Sequence, residues 1–255
     1  SMSSQPRISV VTAVYNRVAT IGDAIESIAS QDYTEKEHIV VDGLSTDGTS
    51  DVIEQRRESI SQYIREGDSG IYDALNKGIR AATGDVVGFL HADDVMYATN
   101  ALRKIADCFS NPNVDAVYGD LVYVDTDNTD KIIRYWKSGT YRRERFRWGW
   151  MPPHPTVYIR KSVYERLGSY RTDLGTAADY ECLVRLFYKG SIRPAYCPET
   201  LVKMRQGGAS NASAKSRILA NRSDRQAWLV NGLTPPFCLR VLKPLQKLPQ
   251  YFLRP

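Results

Sequence analysis

The sequence predicts an α/β fold: a doubly wound, mostly parallel sheet flanked by helices, followed by a basic helical extension. Three observations carry that prediction. Apolar, β-rich runs alternate with segments of helical period from Ile8 to about Ala98, the rhythm of repeated strand–helix units. The run from Val86 to Leu90 is apolar almost throughout, as a central parallel strand covered on both faces must be. Two of the runs end in carboxylates, Asp42 and the adjacent pair Asp93 and Asp94. Ligands of doubly wound sheets bind beyond the C-terminal strand ends, so these acids are expected to converge on one crevice.

The elements follow in order. ISVVTA, Ile8 to Ala13, is the first strand, and a helix runs from about Ala19 to Ser30 with Ile21, Ala24, Ile25 and Ile28 on one face. HIVVD is the second strand and ends at Asp42. The polar turn GLSTDGTS leads into a helix reaching roughly Arg57, and YIRE is a short third strand. SGIYDALNKGIRAATG reads as a helix, with Ile71, Leu75 and Ile79 in register and Gly84 as its stop; VVGFL is the fourth strand. Beyond Ala98 the rhythm changes. A helix through Phe109 and the extended VDAVYGDLVYVD precede a basic, aromatic segment, RYWKSGTYRRERFRWGW. A strand TVYIR, a helix AADYECLVRLFYKG and two short strands near Ile192 and Leu201 complete the body. A basic helix from about Ala212 to Val230 and a proline-bounded amphipathic piece from Phe237 to Leu253 close the chain. The expected divisions are a polar lead-in at 1–7, one domain at 8–210 with halves 8–98 and 99–210, and a tail at 211–255.

At 255 residues, 42% hydrophobic and 25% charged, the chain has the makings of a full-sized core. Ser1-Met2 reads as an expression scar. No apolar run approaches the ~20 residues that span a bilayer and no secretory signal opens the chain, so a cytoplasmic location is expected. Cys108, Cys182, Cys197 and Cys238 form no CxxC pair, which speaks for buried thiols rather than a zinc site or a disulfide framework. The net charge of +5 conceals an asymmetry: residues 200–255 hold ten Lys/Arg against the single acid Asp224, while the rest of the chain is mildly acidic. Such a tail implies an anionic partner surface.

The acid pair raises the chemical question. In GDVVGFLHADDVMY two mutually repelling carboxylates directly follow a buried strand. Either a hard divalent cation offsets them, using one or two carboxylates plus phosphate and water, or they cap the next helix. Their shared edge with Asp42 favours a metal–diphosphate site.

ISVVTAVYN, IVVDGLSTDGT, GIYDALNKGIRAATGDVVGFLHADD and AADYE occur in the order and spacing of family 2 glycosyltransferases with the GT-A fold. Over about Ile8 to Ser210 the chain resembles in particular the bacterial enzymes that build capsule, colanic-acid and O-antigen polysaccharides. The resemblance implies inverting transfer of a sugar from a nucleoside-diphosphate donor, assisted by Mn²⁺ or Mg²⁺, with the donor in the first half and the acceptor in the second. It matches Thr12, Ala13, Tyr15 and Asp42 to positions that hold the nucleobase, with uracil the expected base. Asp93 matches the carboxylate near the donor ribose and phosphates, and Asp94 the metal-binding one. The block GDSGIYDALNKG lies close to the donor in this branch, which makes Asp68, Asn76 and Lys77 candidate contacts; otherwise Asp68 or Ser69 caps a helix and Lys77 is a solvated charge. His91 stands where many relatives carry another acid. It either contacts the donor sugar or shields the metal, or it is a neutral histidine at the core edge.

An inverting transfer needs a carboxylate beside the acceptor hydroxyl. Asp179 begins the helix of TAADYECLVRL and matches the family's catalytic Asp/Glu position; Glu181 points to a different face. His154 in PPHPTVYIR matches a histidine usual in this branch, for a phosphate, the acceptor, or the loop itself. Trp148, between Trp136 and Trp150, either stacks on acceptor sugars, lines a groove for a lipid diphosphate, or belongs to a solvated hairpin. Gly208 belongs to QGGAS, which resembles a Gly-Gly-x-Ser element of close relatives and is also explained as a turn. The tail either packs on the body or docks on the cytoplasmic face of the inner membrane, where a lipid-linked oligosaccharide acceptor resides. The expected activity is therefore that of a hexosyltransferase of surface polysaccharide (capsule or lipopolysaccharide) biosynthesis. A sugar-nucleotide-binding protein that has lost catalysis is the alternative, and the presence of acids at 42, 93, 94 and 179 argues against it. A nucleotidyltransferase on a related fold is a further one. No nucleic-acid motif is present, and the tail's apolar content suits lipid better than a phosphate backbone.

Overall fold

The computed structural model describes residues 5–206, 224–237 and 239. The chain enters as β1 (Ile8–Val14) and passes through α1 (Ile21–Ala29) to β2 (Lys36–Asp42). It continues through α2 (Thr49–Gln55) to β3 (Gln62–Arg65), then through α3 (Ile71–Ala81) to β4 (Val86–Phe89). These four strands pair in parallel in the order β3-β2-β1-β4. Every residue of β1 and β4 is buried, because helices cover both faces of a parallel sheet. α1 buries the stripe Ile21, Ala24, Ile25 and Ile28. α3 lies so close to β1 that a Cβ at Gly78 would stand 2.2 Å from the Val11 side chain; only glycine permits that approach.

The second half adds β5 (Val95–Met96), α4 (Ala101–Cys108), β6 (Ala116–Val124), β7 (Ile132–Trp136), β8 (Tyr158–Arg160), α5 (Lys161–Leu167), α6 (Ala178–Leu183) and β9 (Pro194–Arg205). They prolong the same sheet as β4-β8-β6-β9-β5, giving nine strands with β7 paired to β6. β8 runs antiparallel to β4 and β6, and β6 and β9 are parallel. The fold class is thus the expected one: α/β, with a mostly parallel sheet.

Three local expectations change. The two strands near Ile192 and Leu201 are one strand, β9, whose register against β6 shifts between Tyr118 and Leu121; the bulge interrupts the alternation and makes one strand read as two. The aromatic-basic segment starts as β7, in a hairpin with β6, and continues into a 3₁₀ turn at Arg143–Trp148. The helix after Ala178 keeps α geometry for six residues and continues as a π-helical turn over Val184–Lys189. α5 has no counterpart in the expected order.

A side-chain staple ties the halves together. The Asn76 amide on α3 donates to the Tyr170 carbonyl at 2.8 Å and accepts the Tyr170 N–H at 2.9 Å. Residues 224–229 are helical, and Trp228, fully buried, donates to the Tyr180 hydroxyl at 2.9 Å. Gly208, the predicted helix from Ala212 up to residue 223, and the stretch 240–255 lie outside the described residues. Among those described, no helix is long and apolar enough to cross a membrane. Cys182 and Cys197 are buried free thiols and Cys108 is half-buried.

Candidate functional site

β1, β2 and β4 end along one edge of the sheet. Two loops there are stitched together: Asn16 N–H donates to Ser45 Oγ (2.9 Å), Thr46 N–H to Asn16 Oδ1 (2.8 Å) and Arg17 N–H to Thr49 Oγ1 (2.9 Å). Asn16 and Leu44 take left-handed backbone angles, φ 52° and 69°. Such strain in non-glycine residues persists only where surroundings over-determine it. These bonds hold Tyr15 at the mouth, 58% exposed.

Asp42 closes β2, and its carboxylate is fully buried. It accepts from Ser45 N–H (2.9 Å), Ser45 Oγ (2.7 Å), Ser50 Oγ (2.7 Å) and Tyr63 OH (3.1 Å), and Arg65 lies 3.7 Å away. Burial alone would raise its pKa; the hydrogen bonds from Ser45, Ser50 and Tyr63 outweigh it and hold the carboxyl below its ordinary value.

The acid pair beyond β4 has the opposite surroundings. Asp93 is half exposed, with Arg17 Nε at 3.2 Å and Thr20 Oγ1 at 3.0 Å. Asp94 is 2% exposed, and its Oδ2 has no hydrogen-bond partner among the described residues. Burial, and then the charge of Asp93, push the Asp94 carboxyl up to about 8, against a smaller pull from Arg205. The helix-cap reading does not hold: β5 intervenes and Asn100 occupies the N-cap of α4. An orphaned, desolvated carboxylate oxygen beside a second carboxylate is a donor set short of a cation. Among the described residues no cluster of three or more acidic, histidine or cysteine side chains offers a complete metal cage. Two carboxylates would serve a divalent ion only if phosphate and water supplied its remaining oxygens, as they usually do for Mg²⁺.

Asp179 is half-buried in the first turn of α6, with Oδ1 accepting the Tyr180 N–H at 2.7 Å. Its charge is felt by His91, Tyr72 and Tyr170, so it belongs to the same cluster. His91 stacks on His154 (6.1 Å between ring centres), His154 on Phe89 (6.0 Å), and His154 Nε2 is 2.5 Å from the Tyr170 hydroxyl. Burial lowers both imidazoles to about 4, with the neighbouring His154 adding to the effect on His91. Both are neutral at pH 7. Glu181 is spent on a structural pair with Arg185 at 2.8 Å.

The remaining candidates have structural partners of their own, although the Asp68 carboxylate lies against Gly43, next to Asp42. Thr12 is buried within the sheet, its Oγ1 2.8 Å from His38 Nε2, and Ala13 is core. Asn76 is committed to the Tyr170 staple. Asp68 accepts the N–H of Gly70, the N-cap residue of α3, at 3.0 Å, and Lys77 is no solvated charge: it donates to the Gly67 carbonyl at 2.7 Å and pairs with Glu66 at 3.2 Å. Trp148 is 45% exposed with Arg142 over its ring. Arg17, Thr20 and Arg205 were not singled out from sequence. Arg17 was within reach, as a base in the first strand–helix loop opposite strand-end acids; Arg205 depends on how β9 is placed, which no local pattern gives.

A family model described as Glycosyl transferase family 2 matches residues 9–168. A PGL/p-HBAD biosynthesis glycosyltransferase of Mycobacterium tuberculosis is 27% identical over 219 residues, covering 84% of this chain and 83% of the relative. An uncharacterized glycosyltransferase of Nostoc sp. is 36% identical over 130 residues, 50% of this chain and 39% of its own. Among solved structures, S. aureus TarS 1-349 superposes with a TM-score of 0.66 at 18% identity, covering 88% of this chain, which spans only 64% of that fragment. The mannosyltransferase of Pyrobaculum calidifontis, solved with GDP-Man and Mn²⁺, gives 0.63 at 22% identity over 95% of this chain and 72% of that one. TarS 1-349 has also been solved with UDP-GlcNAc. The shared fold is GT-A.

Proposed function

The chain belongs to glycosyl transferase family 2, and from that premise we propose that it moves a sugar, with inversion, from a nucleoside-diphosphate donor to a hydroxyl of a lipid-linked saccharide in bacterial surface polysaccharide assembly. The observation that carries this reading is the buried oxygen of Asp94, without a partner among the described residues, beside Asp93 just beyond β4. Residues 8–98 would take the donor and 99–210 the acceptor. Tyr15, exposed between the stitched loops, offers a face for the nucleobase, and Asp42 holds the loop that backs it. A UDP-sugar is the first candidate and a GDP-sugar the second, the two nucleotides bound by the GT-A neighbours.

Asp94, with Asp93, would hold Mn²⁺ or Mg²⁺, which when bound neutralises the charge developing on the departing diphosphate. Asp179 takes the proton of the acceptor hydroxyl as that oxygen attacks the anomeric carbon from the face opposite the leaving group. His91 stacked on His154, and His154 on Phe89, are neutral and would line the site without adding a competing cation. The basic, apolar tail, with Arg240, Lys243, Lys247 and Arg254 and no acid after Asp224, suits the cytoplasmic face of an anionic membrane, where a lipid-linked acceptor is presented.

Isothermal titration of UDP, GDP and dTDP, each with Mn²⁺ and with EDTA, tests the reading. One nucleotide should bind tightly and lose its binding in EDTA. No binding of any of them with metal would remove the metal–diphosphate site and the transferase mechanism with it.

A further inference from the structure

Two arginines flank the acid pair, and the structure holds them differently. Arg205, at the end of β9, is buried; its guanidinium donates to the Asp93 carbonyl at 2.6 Å and to Asp23 on α1 at 3.0 Å. It is fixed framework. Arg17, just before α1, has a half-exposed side chain that donates to Asp93 through Nε at 3.2 Å and to the Asn16 carbonyl through Nη1 at 2.9 Å. Its main chain is pinned by Thr49, and it follows Tyr15 by two residues.

We propose that Arg17 is a diphosphate-binding residue which Asp93 restrains until a divalent cation loads, an inference that rests on the metal–nucleoside diphosphate reading of the crevice. The two oxygens of Asp93 are taken by Arg17 and by Thr20. A cation drawing on Asp93 competes directly with the Arg17 Nε–H. The contest is uneven, because a half-exposed ion pair holds weakly whereas a divalent ion meets two carboxylates at once. Arg17 released from Asp93 cannot travel far: the bonds to Asn16 and Thr49 keep it at the mouth, between the exposed Tyr15 ring and the acids. A planar guanidinium there matches phosphate oxygens in shape and charge. Asp93 thus exchanges one positive partner for another, and loading the cation uncovers the second charge that the diphosphate needs. The donor is read in two parts, its base beside Tyr15 and its diphosphate between the cation and Arg17.

The test compares wild type with Arg17→Gln and Arg17→Lys. Titration with UDP and GDP in Mn²⁺ should show about tenfold weaker binding to Arg17→Gln, with Arg17→Lys recovering part of the loss and affinity for the bare nucleoside unchanged. Mn²⁺ alone, followed by electron paramagnetic resonance of the free ion, should bind Arg17→Gln a few-fold more tightly than wild type, because its competitor for Asp93 is gone. These opposite signs separate the exchange from a structural role, which would weaken both. Equal UDP and GDP affinities in wild type and Arg17→Gln, or Mn²⁺ binding in the variant that is unchanged or weaker, would overturn the role of Arg17 and leave the crevice reading standing. A wild type that binds neither nucleotide with Mn²⁺ would overturn both.

Discussion

The ends of β2 and β4 carry the same residue type at the same depth and treat it in opposite ways. At β2, Asp42 is buried among the Ser45 N–H and the hydroxyls of Ser45, Ser50 and Tyr63, and its carboxyl is held below its ordinary pKa. At β4, Asp94 is equally buried, yet one oxygen has no partner among the described residues and its pKa is pushed up to about 8. Solvent exposure alone therefore does not tell how a strand-end acid is compensated. The inventory of donors around it does. Asp42 brings its counter-dipoles from its own loop, whereas Asp94 must receive positive charge from outside or bind a proton.

The largest effect should come from removing Asp94, the proposed metal holder. Asp94→Asn is expected to abolish metal-dependent nucleotide binding, a loss beyond the roughly 10–100-fold that follows loss of a mere outer partner. It should also raise the melting temperature of the metal-free protein at pH 8 by a few degrees, since an uncompensated buried charge disappears. Calorimetric titration and thermal melts in EDTA read both numbers. Retained binding with unchanged metal dependence would erase the distinction between the two strand ends.

Asp179→Asn sharpens the comparison across the crevice instead of along its edge. Turnover should fall by about 10²–10⁴, the range for a general base, while donor affinity stays within about twofold of wild type. If affinity fell and turnover per bound donor did not, Asp179 would belong with the binding residues.

Asp42→Ala should do what Asp94→Asn does not. It strips three hydroxyl groups of their acceptor in a buried setting, a loss of about 2–4 kcal/mol. For a chain of this size that lowers the melting temperature by roughly 5–12 °C. A variant with wild-type stability and selectively weak nucleotide binding would transfer Asp42 from the framework to the site.

Much of this was legible in the sequence, and the physics explains how much. The alternation from β1 to β4 and the acids at the strand ends follow from local pattern, because parallel strands buried on both faces leave a clear apolar signature. The β6–β9 half was harder: the bulge between Tyr118 and Leu121 breaks the period of β9, and the pairing joins residues some eighty positions apart. Individual site residues divide in the same way. The pair Asp93–Asp94 announces itself in a strand-end run, but the commitment of Thr12 to His38 and of Asn76 to Tyr170 depends on partners no window of sequence contains. Arg205 reaches Asp93 only because β9 lies where the sheet puts it.

A pH profile of stability tests both environments at once. The chain has three histidines: His38, His91 and His154 are lowered from 6.5 to about 4, in each case chiefly by burial. Between those values the folded state binds fewer protons than the unfolded one, so the stability they contribute is full above pH 6.5 and drains away as pH falls toward 4. Asp94 has the opposite sign. Its folded pKa lies above its unfolded value of 3.8, so its contribution is full below that value and is lost as pH rises toward about 8. Of these four groups, the three imidazoles outweigh the carboxyl up to roughly pH 6.5 and the carboxyl prevails beyond it, so their joint contribution in the metal-free protein peaks near pH 6.5–7. Thermal melts across pH 4–9 in EDTA should trace that dome. Asp94→Asn should flatten the alkaline limb alone, and His38→Gln should shallow the acid limb alone. An alkaline limb that persists unchanged in Asp94→Asn would mean that Asp94 is as well compensated as Asp42, and that β4 ends in framework as β2 does.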